Sequence, residues 1–231
     1  MSYSLLIADR SYSSWSLRGW LCFAAFDVPV TVEDTRLYQP GFTEDLKRYA
    51  PARTVPAARM PEGGILTDSL AIAEELATRH PKAGFWPEDP TARALARSLV
   101  AEMHSGFSAL REACPMNLRT AYSGVPVSDA VQADLNRIEL LWGLARQHAA
   151  DGPWLFGAYS LADVFYAPVA MRIAGYSLPV SEAGVAYINA HLAEPNFLAW
   201  RARGLEDSPQ EAYRRAYVHI DFPERLMSSG A

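Results

Sequence analysis

The spacing of apolar residues divides the 231-residue chain into two halves. In the first half, short apolar runs stand between polar turns, and a short run of this kind indicates a buried strand. Residues 5–8 and 28–32 form two such runs, and residues 17–26 between them have apolar positions at helical spacing. Strand, helix and strand in this order predict a βαβ unit with a right-handed crossover.

The stretch from Arg53 to Leu76 predicts a hairpin followed by a helix. Two short apolar runs flank a Gly63-Gly64 turn, as in two strands joined by a tight loop. Asp68-Ser69 then precedes apolar residues at helical spacing, and Asp and Ser are residue types that begin helices. With a further short helix at 41–49, the first half has the β-α-β-α-β-β-α order of a thioredoxin-like domain.

In the second half, apolar residues recur every three or four positions, which is typical of amphipathic helices. A first long helix is predicted up to Pro115 and a second over 131–145, with a loop at 116–126 between them. Ser160 and Asp163 have the spacing of a capping box, and the apolar run after them predicts a buried helix. No strand is predicted in this half.

These patterns predict two domains joined by a linker. The segment 83–90 is rich in Pro and Gly, which favours a connecting loop. We therefore expect an α/β thioredoxin-like N-terminal domain at 1–82, a linker at 83–90 and an all-α C-terminal helical domain at 91–231. The polar tail after Ser208 matches no pattern that predicts a structure.

Charge and cysteine content narrow the class of protein. The net charge of −5 argues against nucleic acid or an anionic membrane as a partner, and no apolar run is long enough to cross a bilayer. The N-terminus lacks the pattern of a signal peptide. Cys22 and Cys114 do not have the spacing of a metal site or a dithiol motif. We expect a cytoplasmic protein without a metal.

The Asp68-Ser69 helix start predicts an anion site, because a helix N-terminus presents unpaired N–H groups and the positive end of the helix dipole. Together with the preceding Val55-Pro56 pair, it resembles the glutathione-binding half of the glutathione S-transferase family. This resemblance implies a cis Val55-Pro56 bond, with the Val55 backbone pairing with the cysteinyl part of glutathione. It also implies that Asp68 and Ser69 hold the γ-glutamyl end, and that Arg53 lies near the glycyl carboxylate.

Glutathione chemistry requires a thiolate, and the family stabilises it with a hydroxyl or thiol at the end of the first strand. A free thiol has a pKa of about 8.5, so lowering it by about two units needs roughly 2.7 kcal/mol. The loop here resembles the serine-type loops of the tau, theta and zeta classes. A tau-like pattern favours Ser13 and a zeta-like pattern favours Ser11, while Ser14 and Tyr12 remain alternatives. Our order of preference is Ser13, Ser14, Ser11.

Trp15 and Arg18, in the same loop and first helix, are interpreted as packing and helix-surface residues. The resemblance places the electrophile pocket between the domains, along the first long helix of the second domain. The side chains that this helix offers to such a pocket are Met103, His104, Phe107 and Arg111.

The first interpretation of these four residues is a structural role. Met103 and Phe107 share one helical face, which is typical of core residues, and a lone histidine such as His104 is usually structural. Arg111 either pairs with an anionic substrate or is solvated.

The resemblance implies a glutathione S-transferase that conjugates or transfers glutathione to small hydrophobic electrophiles, with a role in detoxification. A glutathione-dependent isomerase of maleylacetoacetate or maleylpyruvate is the first alternative. The serine loop favours it, whereas Ser13 in place of a Cys and the lack of an obvious pair of basic residues for a diacid argue against it. A non-catalytic glutathione-binding module is the second alternative. Family members are usually homodimers, so a homodimer is expected.

Overall fold

A computed structural model describes residues 2–149 and 151–227 of the chain. The first half contains a four-stranded sheet with strand order β2-β1-β3-β4 and three helices. The elements in chain order are β1 (Tyr3–Ala8), α1 (Ser14–Ala24), β2 (Val30–Thr35), α2 (Gly41–Lys47), β3 (Ala57–Arg59), β4 (Ile65–Leu66) and α3 (Ser69–Arg79). The predicted order of strands and helices is therefore confirmed, as is the thioredoxin-like fold of this half.

The second half is mainly helical. Its helices are α4 (Pro90–Ser105), α5 (Ser108–Ala113), α6 (Asp129–Arg146), α7 (Leu161–Gly175), α8 (Glu182–Leu192) and α9 (Pro195–Glu206). Every residue of α7 is buried, and this helix packs against α1, α4 and α8. A helix with apolar side chains all round its surface is stable only at the centre of a domain, which explains its position.

Two details of the second half differ from the prediction. The strands β5 (Ala121–Ser123) and β6 (Val218–Ile220) pair antiparallel, so the expected loop at 116–126 and the tail each contribute a short strand. Three-residue strands are too short to show a periodic pattern, and their pairing depends on residues distant in sequence. Residues 228–231 of the tail lie outside the described residues.

The first long helix of this half is interrupted before Pro115, where the sequence predicted a single helix. Gly106 ends α4, and a Cβ at this position would lie 2.7 Å from the Glu102 carbonyl oxygen. Phe107 then adopts a left-handed conformation (φ 57°) before α5 begins. The glycine and the left-handed residue turn the chain, so Phe107 does not continue the face that Met103 occupies.

The segment between the two halves packs closely against both of them. The Phe85 ring stacks on Phe26 of the first half at 4.0 Å, and its carbonyl accepts a hydrogen bond from the Leu161 N–H at 2.9 Å. The boundaries 1–82, 83–90 and 91–231 stay a prediction. In the two ranges that the structure describes, no helix combines the length and apolar character needed to cross a bilayer.

Candidate functional site

The sheet topology brings three segments of the first half to one edge. β1 is antiparallel to β3 and β3 is antiparallel to β4, so β1 and β4 end where β3 begins. The loop before α1, the Val55-Pro56 pair and the start of α3 therefore share this edge. The N-termini of both α1 and α3 point to it, and their dipoles favour an anion at the same place.

The Val55–Pro56 peptide bond is cis, as the resemblance predicts. Val55 is buried, and among the described residues neither its N–H nor its C=O takes part in a backbone hydrogen bond. Pro56 packs against Gly19 of α1, where a Cβ would lie only 2.6 Å from the proline Cβ. The glycine therefore allows α1 to approach this segment closely.

Asp68 and Ser69 form the start of α3. One carboxylate oxygen of Asp68, Oδ1, accepts the N–H groups of Leu70 at 2.7 Å and Ala71 at 3.3 Å. The hydroxyl of Ser69 is buried and has no hydrogen-bond partner in the part of the chain that the structure describes. A buried hydroxyl without a partner is costly, so a polar group of a bound ligand would be a favourable partner for it.

His104 comes from α4 in the second half and meets this helix start. Its Nε2 lies 3.3 Å from the second Asp68 oxygen, Oδ2. The His104 ring also packs edge-on against Trp15 at 5.3 Å. Through these contacts, the starts of α1 and α3 and the end of α4 meet. The structure thus places His104 beside Asp68.

The three serines before and at the start of α1 differ in how their hydroxyl groups are used. Ser11 donates a hydrogen bond to the Gly204 carbonyl at 2.9 Å. Ser13 caps α1, since its oxygen accepts the Ser16 N–H at 3.2 Å, and it also donates to the Ser16 hydroxyl at 2.9 Å. Both side chains are buried in contacts within the protein.

Ser14 points instead toward the second half of the chain. Its oxygen accepts a hydrogen bond from Arg172 of α7 at 3.3 Å, and no acceptor among the described residues takes its own proton. Burial lowers the pKa of Arg172 to about 10, with the positive charge of Arg111 as the second cause. The Arg172 guanidinium therefore remains charged at neutral pH and polarises the Ser14 hydroxyl.

Three arginines, Arg18, Arg111 and Arg172, lie together beside this site. The guanidinium carbons of Arg18 and Arg111 are 4.3 and 4.6 Å from the centre of the Trp15 ring. Burial and the two neighbouring arginines lower the pKa of Arg18 well below its usual range. Within residues 2–149 and 151–227, none of the three makes an ion pair with a carboxylate.

The burial of Arg18 corrects the prediction of a helix-surface residue. Its side chain is fully buried, and all three guanidinium nitrogens lack a hydrogen-bond partner among the described residues. Sequence reasoning also missed Arg172. The available signal was an arginine near the end of a helix whose side chains after Asp163 are almost all apolar. A buried cation without a counter-ion is costly, so this cluster is suited to an anionic ligand.

The remaining predicted residues have different surroundings. Met103 is fully buried in the core, Phe107 is also buried, and Arg53 is exposed near Val55. Arg111 is anchored, since its guanidinium donates to the carbonyls of His104 and Gly106 at 3.2 Å each. A mainly apolar cavity of about 410 Å³ lies between α6 and α8 and includes none of the predicted site residues.

Tyr12, the alternative hydroxyl donor, is covered by the C-terminal tail. Its ring stacks on Tyr213 at 4.5 Å, and its oxygen accepts the Gln210 N–H at 3.1 Å. Burial raises the pKa of Tyr12, which makes its hydroxyl a weaker proton donor. In the described ranges, no cluster of three or more His, Cys, Asp or Glu side chains could hold a metal ion.

Comparison with known proteins identifies the class to which this fold and site belong. Residues 12–79 match the family model described as "Glutathione S-transferase, N-terminal domain". A glutathione transferase homologue from Burkholderia gl BGR1, solved with bound glutathione, superposes with a TM-score of 0.65 at 22% identity over 90% of this chain and all of the other. The omega 2S glutathione transferase of Trametes versicolor superposes with a TM-score of 0.64 at 21% identity over 89% of this chain and 95% of the other.

The N-terminal domain of the chain therefore belongs to the glutathione S-transferase family, and the chain as a whole has the glutathione transferase fold. It is 29% identical over 197 residues to a probable maleylacetoacetate isomerase of Caenorhabditis elegans, covering 82% of this chain and 88% of the relative. It is also 32% identical over 105 residues to the maleylacetoacetate isomerase of Mus musculus, covering 44% of this chain and 47% of the relative. The predicted family and its two-part architecture are therefore confirmed.

Proposed function

We propose that this chain binds glutathione at the edge where the N-termini of α1 and α3 meet. The observation that carries this proposal is the buried, unpartnered Ser69 hydroxyl next to Asp68 at the start of α3. In the proposed complex, Ser69 and the helix N-terminus hold the γ-glutamyl carboxylate, and Asp68 takes the amino group. The Val55 backbone pairs with the cysteinyl residue, as an added strand does. The exposed Arg53 remains a candidate for the glycyl carboxylate.

A Ser69→Ala variant tests this binding mode. Removing a hydrogen bond to a charged ligand group costs about 1.5–3 kcal/mol, so the Kd for glutathione rises roughly 10- to 100-fold. The free energy of unfolding stays the same or increases slightly, because the hydroxyl has no partner among the described residues of the free protein. Calorimetric titration and denaturant unfolding measure the two quantities.

The matched control is Ser98→Ala on the exposed side of α4, where the hydroxyl donates to the Ala94 carbonyl of the same helix. The control is expected to bind glutathione like the wild type. Wild-type protein that takes up no glutathione at millimolar concentration would contradict the proposed function. The same result would also contradict the alternative of a non-catalytic glutathione-binding module.

For the chemistry, we propose Ser14 as the donor that stabilises the glutathione thiolate. Its proton is available, Arg172 polarises its oxygen, and it lies at the N-terminus of α1. These hydrogen bonds favour Ser14 over Ser13 and Ser11, whose hydroxyls are directed to Ser16 and Gly204 within the protein. The thiolate then attacks an electrophilic carbon of the second substrate, either displacing a leaving group such as chloride or adding reversibly to a double bond.

The unpaired arginines favour a second substrate that carries negative charge. In this proposal, Arg111 and Arg172 are the pair of basic residues that a diacid requires. With this observation, glutathione-dependent isomerisation of a maleyl diacid is as strongly supported as conjugation to a neutral electrophile. The relatives described as maleylacetoacetate isomerases support the same choice. In isomerisation, addition of the thiolate to the double bond permits rotation, and expulsion of the thiolate restores the bond.

An Arg111→Met variant discriminates between the two reactions. If the substrate is a maleyl diacid, loss of a charge-assisted contact of about 1.5–3 kcal/mol lowers kcat/KM for that substrate roughly tenfold or more. Conjugation of a neutral chloronitrobenzene falls by less than about threefold in the same variant. Arg137→Met, which removes an exposed arginine paired with Glu102, is the control for loss of charge. Equal losses on both substrates would contradict a diacid-binding role.

The remaining expectations rest on the resemblance and stay proposals. We propose a homodimer in the cytoplasm, with detoxification as the role if neutral electrophiles prove to be the better substrates. Light scattering coupled to size-exclusion chromatography measures the oligomeric state directly.

A further inference from the structure

The two oxygens of the Asp68 carboxylate have different surroundings. Oδ1 is committed to the first turn of α3 through the N–H groups of Leu70 and Ala71. Oδ2 accepts no hydrogen bond from the described residues, and its close polar neighbour is Nε2 of His104 at 3.3 Å. Oδ2 is therefore the oxygen available to a ligand, and any cation bound there lies next to His104.

His104 is held firmly in this position. It lies in the last turn of α4, and its ring packs against Trp15 at 5.3 Å and Phe165 at 6.1 Å. Its Nδ1 is buried and has no partner among the described residues. Nε2 is consequently the ring nitrogen through which His104 interacts with polar groups, and it faces Asp68.

The charged groups around His104 come from three other helices. Asp68 of α3 favours the protonated ring, whereas Arg18 of α1 and Arg111 of α5 disfavour it. Burial is the largest influence, and the resulting pKa of His104 lies below its ordinary value. The ring therefore gains its charge only below the ordinary histidine pKa of about 6.5.

We propose that His104 controls how strongly this enzyme selects the free amino group of its γ-glutamyl ligand. This inference rests on the proposed function, in which the ligand ammonium binds Asp68. A neutral His104 leaves Oδ2 to the ammonium, whereas a protonated His104 competes for the same oxygen and repels the ligand cation. His104 touches Asp68 rather than the reacting sulfur, so it is a positioning residue.

The direction of the pH effect follows from linkage. A ligand ammonium beside His104 makes protonation of the ring less favourable in the complex than in the free protein. Affinity for glutathione must then decrease as the pH falls through the pKa of His104 in the free protein. A ligand without the amino group places no cation at Oδ2, so its affinity does not decrease for this reason.

The experiment compares glutathione with its deaminated analogue, glutaryl-cysteinyl-glycine, by calorimetric titration from pH 7.5 down to one unit below the pKa of His104 that NMR measures in the free protein. Both ligands carry the same thiol and the same glycyl carboxylate, so the titrations of these two groups cancel in the ratio of the affinities. We expect the preference of the wild type for glutathione to fall by about threefold or more over this range. In His104→Gln, which keeps a polar side chain of similar size without a titrating charge, the ratio becomes independent of pH.

The control His148→Gln, at an exposed position beyond α6, is expected to behave like the wild type. A wild-type ratio that does not change with pH would overturn the inference, as would full pH dependence in His104→Gln. Both outcomes leave the proposed glutathione site intact, because both ligands still bind. If the wild type binds neither ligand at millimolar concentration at pH 7.5, the proposed function fails and this inference fails with it.

A measurement without ligand tests the contact between His104 and Asp68. Nitrogen-detected NMR of the free protein follows the protonation of His104, and Asp68→Asn removes the charge that favours the protonated ring. We expect the pKa of His104 to be lower in Asp68→Asn than in the wild type. An unchanged pKa would contradict the electrostatic contact on which the inference depends.

Discussion

Replacing Ser14 by alanine is expected to lower kcat/KM for glutathione conjugation by about 10- to 100-fold at pH 6. A hydroxyl that donates to a thiolate contributes about 1.5–3 kcal/mol, and 1.36 kcal/mol corresponds to one pKa unit. The thiol pKa of bound glutathione should therefore rise by about one to two units in Ser14→Ala. The loss is largest below the wild-type thiol pKa and vanishes above about pH 9, where the thiol ionises without help.

The pH dependence of kcat/KM and the ultraviolet absorbance of the bound thiolate measure this shift independently. Ser13→Ala and Ser11→Ala are the matched controls, because they remove neighbouring hydroxyls that bond within the protein. Ser13→Ala removes the cap of α1 and should cost about 1 kcal/mol of stability without moving the thiol pKa. A thiol pKa that shifts in Ser13→Ala and not in Ser14→Ala would reverse the assignment.

The sequence predicts those features of the site that depend on neighbouring residues. A helix start at Asp68-Ser69 and a capping box at Ser160 and Asp163 are local patterns, and both occur as predicted. The cis Val55–Pro56 bond follows from the resemblance rather than from periodicity. Such local signals suffice to identify the fold, because the sequence pattern of each element in the first half indicates whether it is a strand or a helix. The connections between these elements are also short.

The missed features depend on contacts between distant parts of the chain. Ser14 and Arg172 meet only when α7 packs against α1, so a serine-rich loop by itself cannot show which hydroxyl is free. His104 reaches Asp68 only because the two halves pack together. A lone histidine on a helix is usually structural, and the sequence does not show that an acidic helix cap lies opposite. The same holds for the buried guanidinium of Arg18, which a helical pattern assigns to the surface.

The capping box at the start of α7 should produce a large stability effect when its acidic residue is replaced. Asp163 is fully buried, and its carboxylate accepts four hydrogen bonds from three residues. The donors are the N–H of Leu155, the N–H and hydroxyl of Ser160, and the hydroxyl of Tyr187, at 2.9–3.0 Å. This one side chain therefore ties the start of α7 to the preceding loop and to α8.

Asp163→Ala is expected to lower the free energy of unfolding by about 3–5 kcal/mol, because it leaves two buried backbone N–H groups without acceptors. That is a large share of the roughly 5–15 kcal/mol that stabilises a typical domain. Asp163→Asn should have an intermediate effect, since an amide keeps one acceptor oxygen but turns an NH₂ group toward two donors. Denaturant unfolding at pH 8 measures these differences with the carboxylate ionised, because burial raises the pKa of Asp163 to about 6.

The control for this series is Asp129→Ala, which removes an exposed acid from the first turn of α6. Its effect should stay below about 1 kcal/mol, because an acid near a helix N-terminus contributes only through the dipole there. Tyr187→Phe removes only the hydrogen bond from the Tyr187 hydroxyl to Asp163, and it should lower the free energy of unfolding by about 1 kcal/mol. If Asp163→Ala were no more destabilising than Asp129→Ala, the capping box would be dispensable, and packing of the apolar α7 side chains alone would hold the helix in place.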